Sequence, residues 1–153
     1  IAACDLASVL SDTLTLLRPN LIKNRIMVKQ RIVPDLPAVE GSRAHILQVC
    51  LNIVMNAIDA MAGGGDLTVT LALDTRRVPG VLMRFSDSGK GIPAEDLKRI
   101  YEPFFTNGKA KGVGLGLTIT RDIVERHQGQ LVIQSPPGSG AVVDVWFPLK
   151  HEA

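Results

Sequence analysis

Two asparagines lie four residues apart in the sequence LNIVMNAIDAM, which begins at Leu51. Residues at this spacing share one face of an α-helix, so the amides of Asn52 and Asn56 would project together. The rest of the helix is apolar, and a buried amide needs partners such as a metal ion or phosphate oxygens. Amide oxygens suit Mg²⁺, which prefers hard oxygen ligands. Solvent-facing or capping asparagines are the alternative, so the pair alone does not define a site.

A second candidate is the sequence RFSDSGKGIP, in which Asp87 ends a predicted strand. Gly89 and Gly91 follow it, and glycines let the backbone turn sharply and approach a ligand closely. Ordinary turns also favour Asp and Gly, so this spacing indicates a binding site only in combination with the other motifs of the sequence.

The third candidate is KGVGLGLTITRDIVERH, which places Gly112, Gly114 and Gly116 around the start of a predicted helix. Free N–H groups and the helix dipole favour anionic phosphates at such a position. Each glycine costs about 1 kcal/mol of helix stability relative to alanine, so three together suggest function. The sequence matches neither the phosphate loop that ends in Gly-Lys-Ser/Thr nor the dinucleotide fingerprint. Those nucleotide folds are therefore excluded.

Length and composition indicate one domain that spans residues 1–153, with 46% hydrophobic and 21% charged residues. The net charge of +2 is too small to predict binding to nucleic acid or a membrane surface. No apolar run approaches the roughly 20 residues of a membrane span, and no leader is visible. Cys4 and Cys50 fit a reducing compartment, with Cys50 as a buried thiol. We expect a cytoplasmic fragment of a longer protein, since it begins at Ile1.

Hydrophobic periodicity predicts the elements that position these candidates. A first helix over Asp5–Leu17 should be closed by Pro19, and a strand should follow from Ile26 to Ile32. The remaining predictions are a helix from Ser42 to Met61, an antiparallel pair over 67–73 and 81–85, a short helix over 94–100, a helix over 115–127 stopped by Gly129, and strands over 130–135 and 141–147. This content predicts an α/β (α+β) two-layer sandwich, with three helices on one face of a five-stranded, mixed, mostly antiparallel sheet.

Taken in order, the paired-asparagine helix, the Asp87 turn, YEPFF and GVGLGL resemble the N, G1, F and G2 boxes of the histidine-kinase catalytic domain. The closing HQGQLVIQSPPGSGAVVDVWFPL resembles the last strands of the same Bergerat-type ATP-binding fold. The superfamily also includes gyrase, mismatch-repair and heat-shock chaperone ATPases. The sequence NAIDAM resembles the corresponding segment in the nitrogen-regulation and oxygen-sensing branch of these kinases.

This resemblance implies a role for each motif in binding ATP and Mg²⁺. Asn56 would coordinate Mg²⁺, Asp87 would accept the adenine amino hydrogen, and Asp59 would support the site. Tyr101–Lys111 would form a lid, and the alternative for its lysines is that they are solvated loop charges. The purine pocket would be shaped by Gly89, Gly91 and Ile92, the lid anchored by Phe104 and Phe105, and the phosphates met by Lys109, Lys111, Gly112, Val113, Gly114, Leu115, Gly116 and Leu117.

Position 52 separates kinases from hydrolases within the resemblance. The ATPases carry there a glutamate that activates water, whereas Asn52 cannot take a proton at neutral pH. We therefore expect Asn52 and Lys111 to serve phosphoryl transfer, and a gyrase-like clamp or an anti-sigma-type serine kinase is disfavoured. Two departures are Ala141, where Thr or Ser is common, and Asn107-Gly108, which replaces a frequent Thr-Lys pair.

The implied function is transfer of the γ-phosphate of Mg-ATP to a histidine on a separate dimerisation hairpin, and then to a response-regulator aspartate. His45 and His127 lie in predicted helices of this domain, and no helix follows His151-Glu152, so none resembles the acceptor. We expect a monomeric domain that does not phosphorylate itself efficiently, and a homodimeric parent. The alternative is a nucleotide-binding regulatory module of a protein that acts mainly as a phosphatase.

Overall fold

The computed structural model describes residues 2–92, 94–97, 113–136 and 139–152. A five-stranded sheet forms one layer, and helices pack on one of its faces, which confirms the predicted sandwich. The elements in chain order are β1 (Ala2–Cys4), α1 (Leu6–Lys23), β2 (Ile26–Ile32), β3 (Val39–Gly41), α2 (Arg43–Ala60), β4 (Gly65–Leu73), β5 (Gly80–Asp87), α3 (Ala94–Leu97), α4 (Val113–Arg126), β6 (Gln130–Gln134) and β7 (Val142–Pro148).

The strand order in the sheet is β2-β4-β5-β7-β6, with β2 parallel to β4 and the other pairs antiparallel. Alternate residues of each strand point to the same face, so the register decides which side chains share the core. Val69 lies opposite Phe85, and Leu71 lies opposite Met83, and all four are buried. The sheet therefore presents a continuous apolar face to the helices.

Helix α2 lies between α1 and α4 and contributes a continuous buried face to the core. Its buried positions recur every three or four residues, from Ile46 to Ile58, as the sequence pattern predicts. Ser42 is its N-cap, because the Ser42 hydroxyl accepts the N–H of His45 at 3.3 Å. The predicted start of this helix is therefore confirmed.

A buried histidine joins the end of α4 to the start of α2. His127 is 6% exposed, and its Nε2 accepts the Ser42 N–H at 3.1 Å. Its Nδ1 lies 2.9 Å from the Ile123 carbonyl oxygen, so the neutral ring donates there. Both ring nitrogens are thus committed to the backbone, and the two helices are held in register.

The prediction that Pro19 closes the first helix is wrong, because α1 runs on to Lys23. A proline inside a helix costs about 3 kcal/mol. Leu17 and Leu21 are both buried, and full burial of one leucine contributes about 1.5–3 kcal/mol, so packing offsets the cost. Pro19 has no N–H to donate to the carbonyl four residues earlier in the helix. Pro19 itself is exposed, so water can reach that carbonyl.

Two further differences concern a short strand and the end of α4. The strand β1 was not predicted, and it pairs antiparallel with β3. At the end of α4 the left-handed residue is Gln128, with φ of 58°, and Gly129 comes one position later. The Gly129 N–H closes the helix on the Val124 carbonyl at 2.9 Å. Residues 98–100 of the predicted short helix lie outside the described residues, as does the whole 101–112 segment.

Both cysteines are buried free thiols, and this confirms the expectation for Cys50. Burial raises the pKa of the Cys50 thiol to about 12, and it also raises the pKa of Cys4. Among the described helices, none has the length and apolar character required to cross a bilayer.

Replacement of Pro19 by Ala should raise the free energy of unfolding by about 1–3 kcal/mol, since the helix gains a hydrogen bond and loses the ring clash. Urea unfolding measures it. Thr15→Ala, at an exposed position one turn earlier in α1, is the matched control and should change stability by less than about 0.7 kcal/mol. Equal effects of the two substitutions would contradict our account of α1.

Neither cysteine should react with a thiol reagent at pH 8 while the chain is folded, because the thiolate is the reactive form and burial raises both pKa values. Ellman's reagent measures this directly. The variant Ser11→Cys, at an exposed position of α1, should add one thiol that reacts promptly. Prompt reaction of Cys50 in the folded chain would contradict its buried position.

Candidate functional site

The two asparagines of α2 are half-buried, and one of them reaches across to α4. The Asn52 amide nitrogen donates to the Thr120 hydroxyl at 3.2 Å, and Thr120 is fully buried. Asn56 lies one helical turn further along α2, and Asp59 is exposed near the end of the same helix. The amide of Asn52 is therefore fixed by a contact between helices, and the amide of Asn56 lies one helical turn away.

Asp87 is the last residue of β5, as predicted, and its carboxylate is held by two backbone groups. Its Oδ1 accepts the N–H of Gly89 at 2.8 Å and the N–H of Ala141 at 3.2 Å. The Asp87 N–H donates in turn to the Ala141 carbonyl at 3.0 Å. No hydrogen bond from the described part of the chain reaches Oδ2. One oxygen is thus fixed, and the other can accept a donor.

Two glycines let the backbone close around Asp87. A Cβ on Gly140 would lie 1.9 Å from the Asp87 carbonyl oxygen, and one on Gly89 would lie 2.6 Å from the Ala60 carbonyl oxygen. Backbone atoms cannot move aside as a flexible side chain can, so neither position accepts alanine without a local shift. The contact with Ala60 also places the Asp87 turn against the end of α2.

The turn continues through Gly91, which has φ of +75°, a left-handed value that favours glycine. The next residue, Ile92, donates its N–H to the Ser135 hydroxyl at 2.7 Å. Ser135 lies just beyond β6, so the turn is tied to the connection between the last two strands. The structure thereby brings the predicted purine-pocket residues Gly89, Gly91 and Ile92 together beside Asp87.

Helix α4 begins at Val113, so the backbone of Gly114 and Gly116 lies in its first turns, close to the predicted start. The first N–H groups of a helix have no partner within it and attract anions. Val113 and Leu115 belong to the same turns, and Leu117 is half-buried. The predicted lid anchors and phosphate contacts Phe104, Phe105, Lys109, Lys111 and Gly112 lie outside the described residues.

Sequence analysis missed three residues that shape this site. Thr120 had a detectable signal, since it lies three and four residues before the buried Ile123 and Val124, on the apolar face of α4. Ser135 and Gly140 had none, because their contacts depend on how β6 and β7 align with β5. The SPPGSGA segment predicts only a turn.

The family model described as "Histidine kinase-, DNA gyrase B-, and HSP90-like ATPase" matches residues 41–151. The match covers the Asp87 turn, both asparagines of α2 and the last strands. The chain therefore belongs to this family of ATPases, for which ATP is the nucleotide.

The likenesses to individual proteins narrow the class. The chain is 34% identical over 95% of its length to sporulation kinase E of Bacillus subtilis, and 34% identical over 96% to the sensor histidine kinase ZraS of Escherichia coli. It superimposes on a nucleotide-free catalytic domain of histidine kinase ThkA with a TM-score of 0.83 and 28% identity, covering 97% of this chain and 95% of that one. This places it with the catalytic, ATP-binding domains of two-component sensor histidine kinases.

The chain spans 19% of the length of sporulation kinase E and 31% of ZraS. It thus corresponds to one domain of each of these relatives. Both of these relatives are named as kinases.

Thr120→Val should lower the free energy of unfolding by about 1–2 kcal/mol, because the Asn52 amide loses a buried acceptor while the side-chain volume is kept. Thr120→Ser, which keeps the hydroxyl, should cost less. Urea unfolding measures both. Thr70→Val, at a half-buried strand position, is the matched control and should be nearly neutral. If Thr120→Val matched that control, the contact between α2 and α4 would carry no stability.

Proposed function

We propose that this chain binds Mg-ATP and donates its γ-phosphate to a histidine on a separate dimerisation helix of the parent kinase. The phosphoryl group then passes to an aspartate of a response-regulator receiver domain. The observation that carries this proposal is the held carboxylate of Asp87, with one oxygen accepting two backbone N–H groups and the other open to a ligand. Family membership supplies the nucleotide.

At the adenine end, the free oxygen of Asp87 accepts a hydrogen of the exocyclic amino group. A base in this pocket lies beside the turn formed by Gly89, Gly91 and Ile92, whose backbone is held by Ala60 and Ser135. A fixed acceptor costs no reorganisation when the ligand arrives, and this favours affinity for a base that donates at that point. Ala141 has no side-chain hydroxyl, and its backbone N–H is already donated to Oδ1 of Asp87.

At the phosphate end, Asn56 holds Mg²⁺ through its amide oxygen. The half-buried amide suits a hard cation that retains several waters. When bound, the metal offsets charge on the phosphates. Asn52 donates to Thr120 through its amide nitrogen, and an amide cannot serve as a general base. Water is therefore not activated, and the γ-phosphate is kept for another acceptor.

The remaining phosphate contacts come from the start of α4 and from the lid. The first N–H groups of α4, over 113–116, have no partner within the helix and cradle phosphate oxygens, and the phosphate contacts predicted at Gly112 and Leu117 flank them. Lys109 and Lys111 meet the phosphates as point charges, Lys111 assists transfer, and Phe104 and Phe105 anchor the lid. Asp59 supports the metal end from the last turns of α2. Phosphoryl transfer asks mainly for such positioning and charge compensation.

The acceptor is not one of the chain's own histidines. Both ring nitrogens of His127 are engaged, and the Nε2 of His151 is buried. His45 lies in the first turn of α2, 11 residues before Asn56, which separates their backbones by about 16 Å along the helix. The attacking imidazole therefore comes from another segment.

The assembly follows from the placement of the nucleotide site in this chain and of the acceptor histidine in another segment. Residues 1–153 act as one domain, since one core cluster runs from Cys4 through α2 to Phe147. The isolated domain is a monomer, and the parent is a homodimer through its acceptor hairpin. The chain works in the cytoplasm, where ATP is available.

Asn56→Ala and Asp87→Ala should each weaken binding at least tenfold, because a tenfold change corresponds to about 1.4 kcal/mol, the scale of one lost charged or metal contact. Calorimetry with ATP and ADP measures this. Asn56→Ala should also abolish the gain in affinity on adding Mg²⁺, whereas Asp87→Ala should weaken binding with and without metal.

Asn20→Ala and Asp12→Ala, at exposed positions of α1, are matched controls and should bind normally. Absence of nucleotide binding by the intact, folded chain would overturn the proposal. Normal binding by Asp87→Ala would mean that the base is recognised elsewhere in the molecule.

A further inference from the structure

Ser135 connects two segments on either side of Asp87, although it lies 48 residues away along the chain. We propose that Ser135 is a positioning residue that sets the base specificity of the site by holding the Asp87 carboxylate in place. This inference rests on the proposed function, since it takes Asp87 as the group that reads the base. Ser135 itself does not touch the nucleotide.

The first contact holds the turn that follows Asp87. The Ser135 hydroxyl accepts the Ile92 N–H at 2.7 Å. Gly91 packs against the same hydroxyl, because a Cβ built on Gly91 would lie 2.8 Å from the Ser135 oxygen and 2.7 Å from the Ser139 carbonyl oxygen. The turn therefore rests directly on the connection between β6 and β7.

The second contact reaches Asp87 itself through a single peptide unit. The Ser135 hydroxyl donates to the Gly140 carbonyl oxygen at 3.4 Å. The other end of that peptide is the Ala141 N–H, which donates to Oδ1 of Asp87 at 3.2 Å. A peptide bond is planar, so a restraint on its carbonyl also restrains the direction of its N–H. Ser135 thereby helps to aim the N–H that fixes Asp87.

The same hydroxyl thus both accepts and donates, and each bond supports the other. A donor that also accepts polarises the chain of hydrogen bonds and strengthens it. Without the hydroxyl, the half-buried Ile92 N–H loses its acceptor, and among the described residues the Gly140–Ala141 peptide keeps its hydrogen bond to Asp87 but loses the one to Ser135. Both changes loosen the position of Oδ1 and, with it, the direction of Oδ2.

The direction of Oδ2 matters most for telling purines apart. Adenine presents an amino group as donor where guanine presents a carbonyl oxygen. A carboxylate oxygen fixed at this point accepts from adenine and opposes guanine. A carboxylate that is free to turn away loses part of its hydrogen bond to adenine and also part of its repulsion of guanine. Base discrimination therefore depends on the restraint, whereas contacts to the phosphates do not.

Ser135→Ala should weaken binding of ADP by about tenfold while it changes binding of GDP by less than about threefold, so that the ratio of the two dissociation constants falls. Ser135→Thr keeps the hydroxyl and should retain most of the ratio. Calorimetry with both nucleotides gives the four constants, and urea unfolding verifies that each variant is folded. If Ser135→Ala does not fold, Ser135→Cys, which keeps a similar volume but pairs weakly, takes its place with the same expected loss.

Ser88→Ala is the matched control, because it also removes a serine hydroxyl beside Asp87, but one that accepts the Asp66 N–H and has no bond to Ile92 or Gly140. It should leave the ratio unchanged. In an Asp87→Asn background, adding Ser135→Ala should change the ratio by less than about twofold, since Ser135 acts through the carboxylate.

An unchanged ratio in Ser135→Ala, or an equal loss for ADP and GDP, would overturn the inference and leave the proposed function standing. The same fall in ratio with Ser88→Ala or in the Asp87→Asn background would also overturn it. If the intact chain bound neither nucleotide, the proposed function itself would fail.

Discussion

Two N–H groups hold one oxygen of Asp87: that of Gly89 is local to the turn, and that of Ala141 depends on the order of strands in the sheet. Ala141 lies 54 residues after Asp87, and it is near because β7 pairs antiparallel with β5. A carboxylate that accepts two N–H groups is fixed in direction, and hydrogen bonds to a charged group contribute about 1.5–3 kcal/mol each. The pairing of two strands thus determines where the site can accept a hydrogen bond.

Helix α2 carries the second half of the site and also the centre of the core. One face packs Ile53, Val54 and Ile58 against the sheet and its neighbouring helices. Beside that face, Asn52 bonds to a buried threonine of α4, and the carbonyl of Ala60 supports the turn after Asp87. Binding residues on such a rigid element keep their positions without a ligand, which lowers the cost of binding.

Several local preferences are overruled where burial or close packing requires it. Pro19 stays inside α1 because burial of Leu21 is of the same size as the cost of the proline. Gln128 takes a left-handed conformation at the end of α4, while Gly129 fills a place where a Cβ would lie 2.3 Å from the Trp146 carbonyl oxygen. Gly129 is thus required because a side chain would not fit there, whereas Gln128 adopts the left-handed backbone conformation that a non-glycine residue rarely takes.

The sequence by itself determined the class of fold, the long helices and strands, and the positions of Asn52, Asn56 and Asp87 on them, because periodicity, capping and turn preferences act over a few residues. It could not predict the β1–β3 pair, the passage of α1 through Pro19, or the contacts of Thr120, Ser135 and Gly140. Those depend on strand register and on packing between segments far apart in the chain. Only the tertiary structure decided that the oxygen held by the local Gly89 N–H also accepts the Ala141 N–H, since Ala141 is brought beside Asp87 by the pairing of β7 with β5.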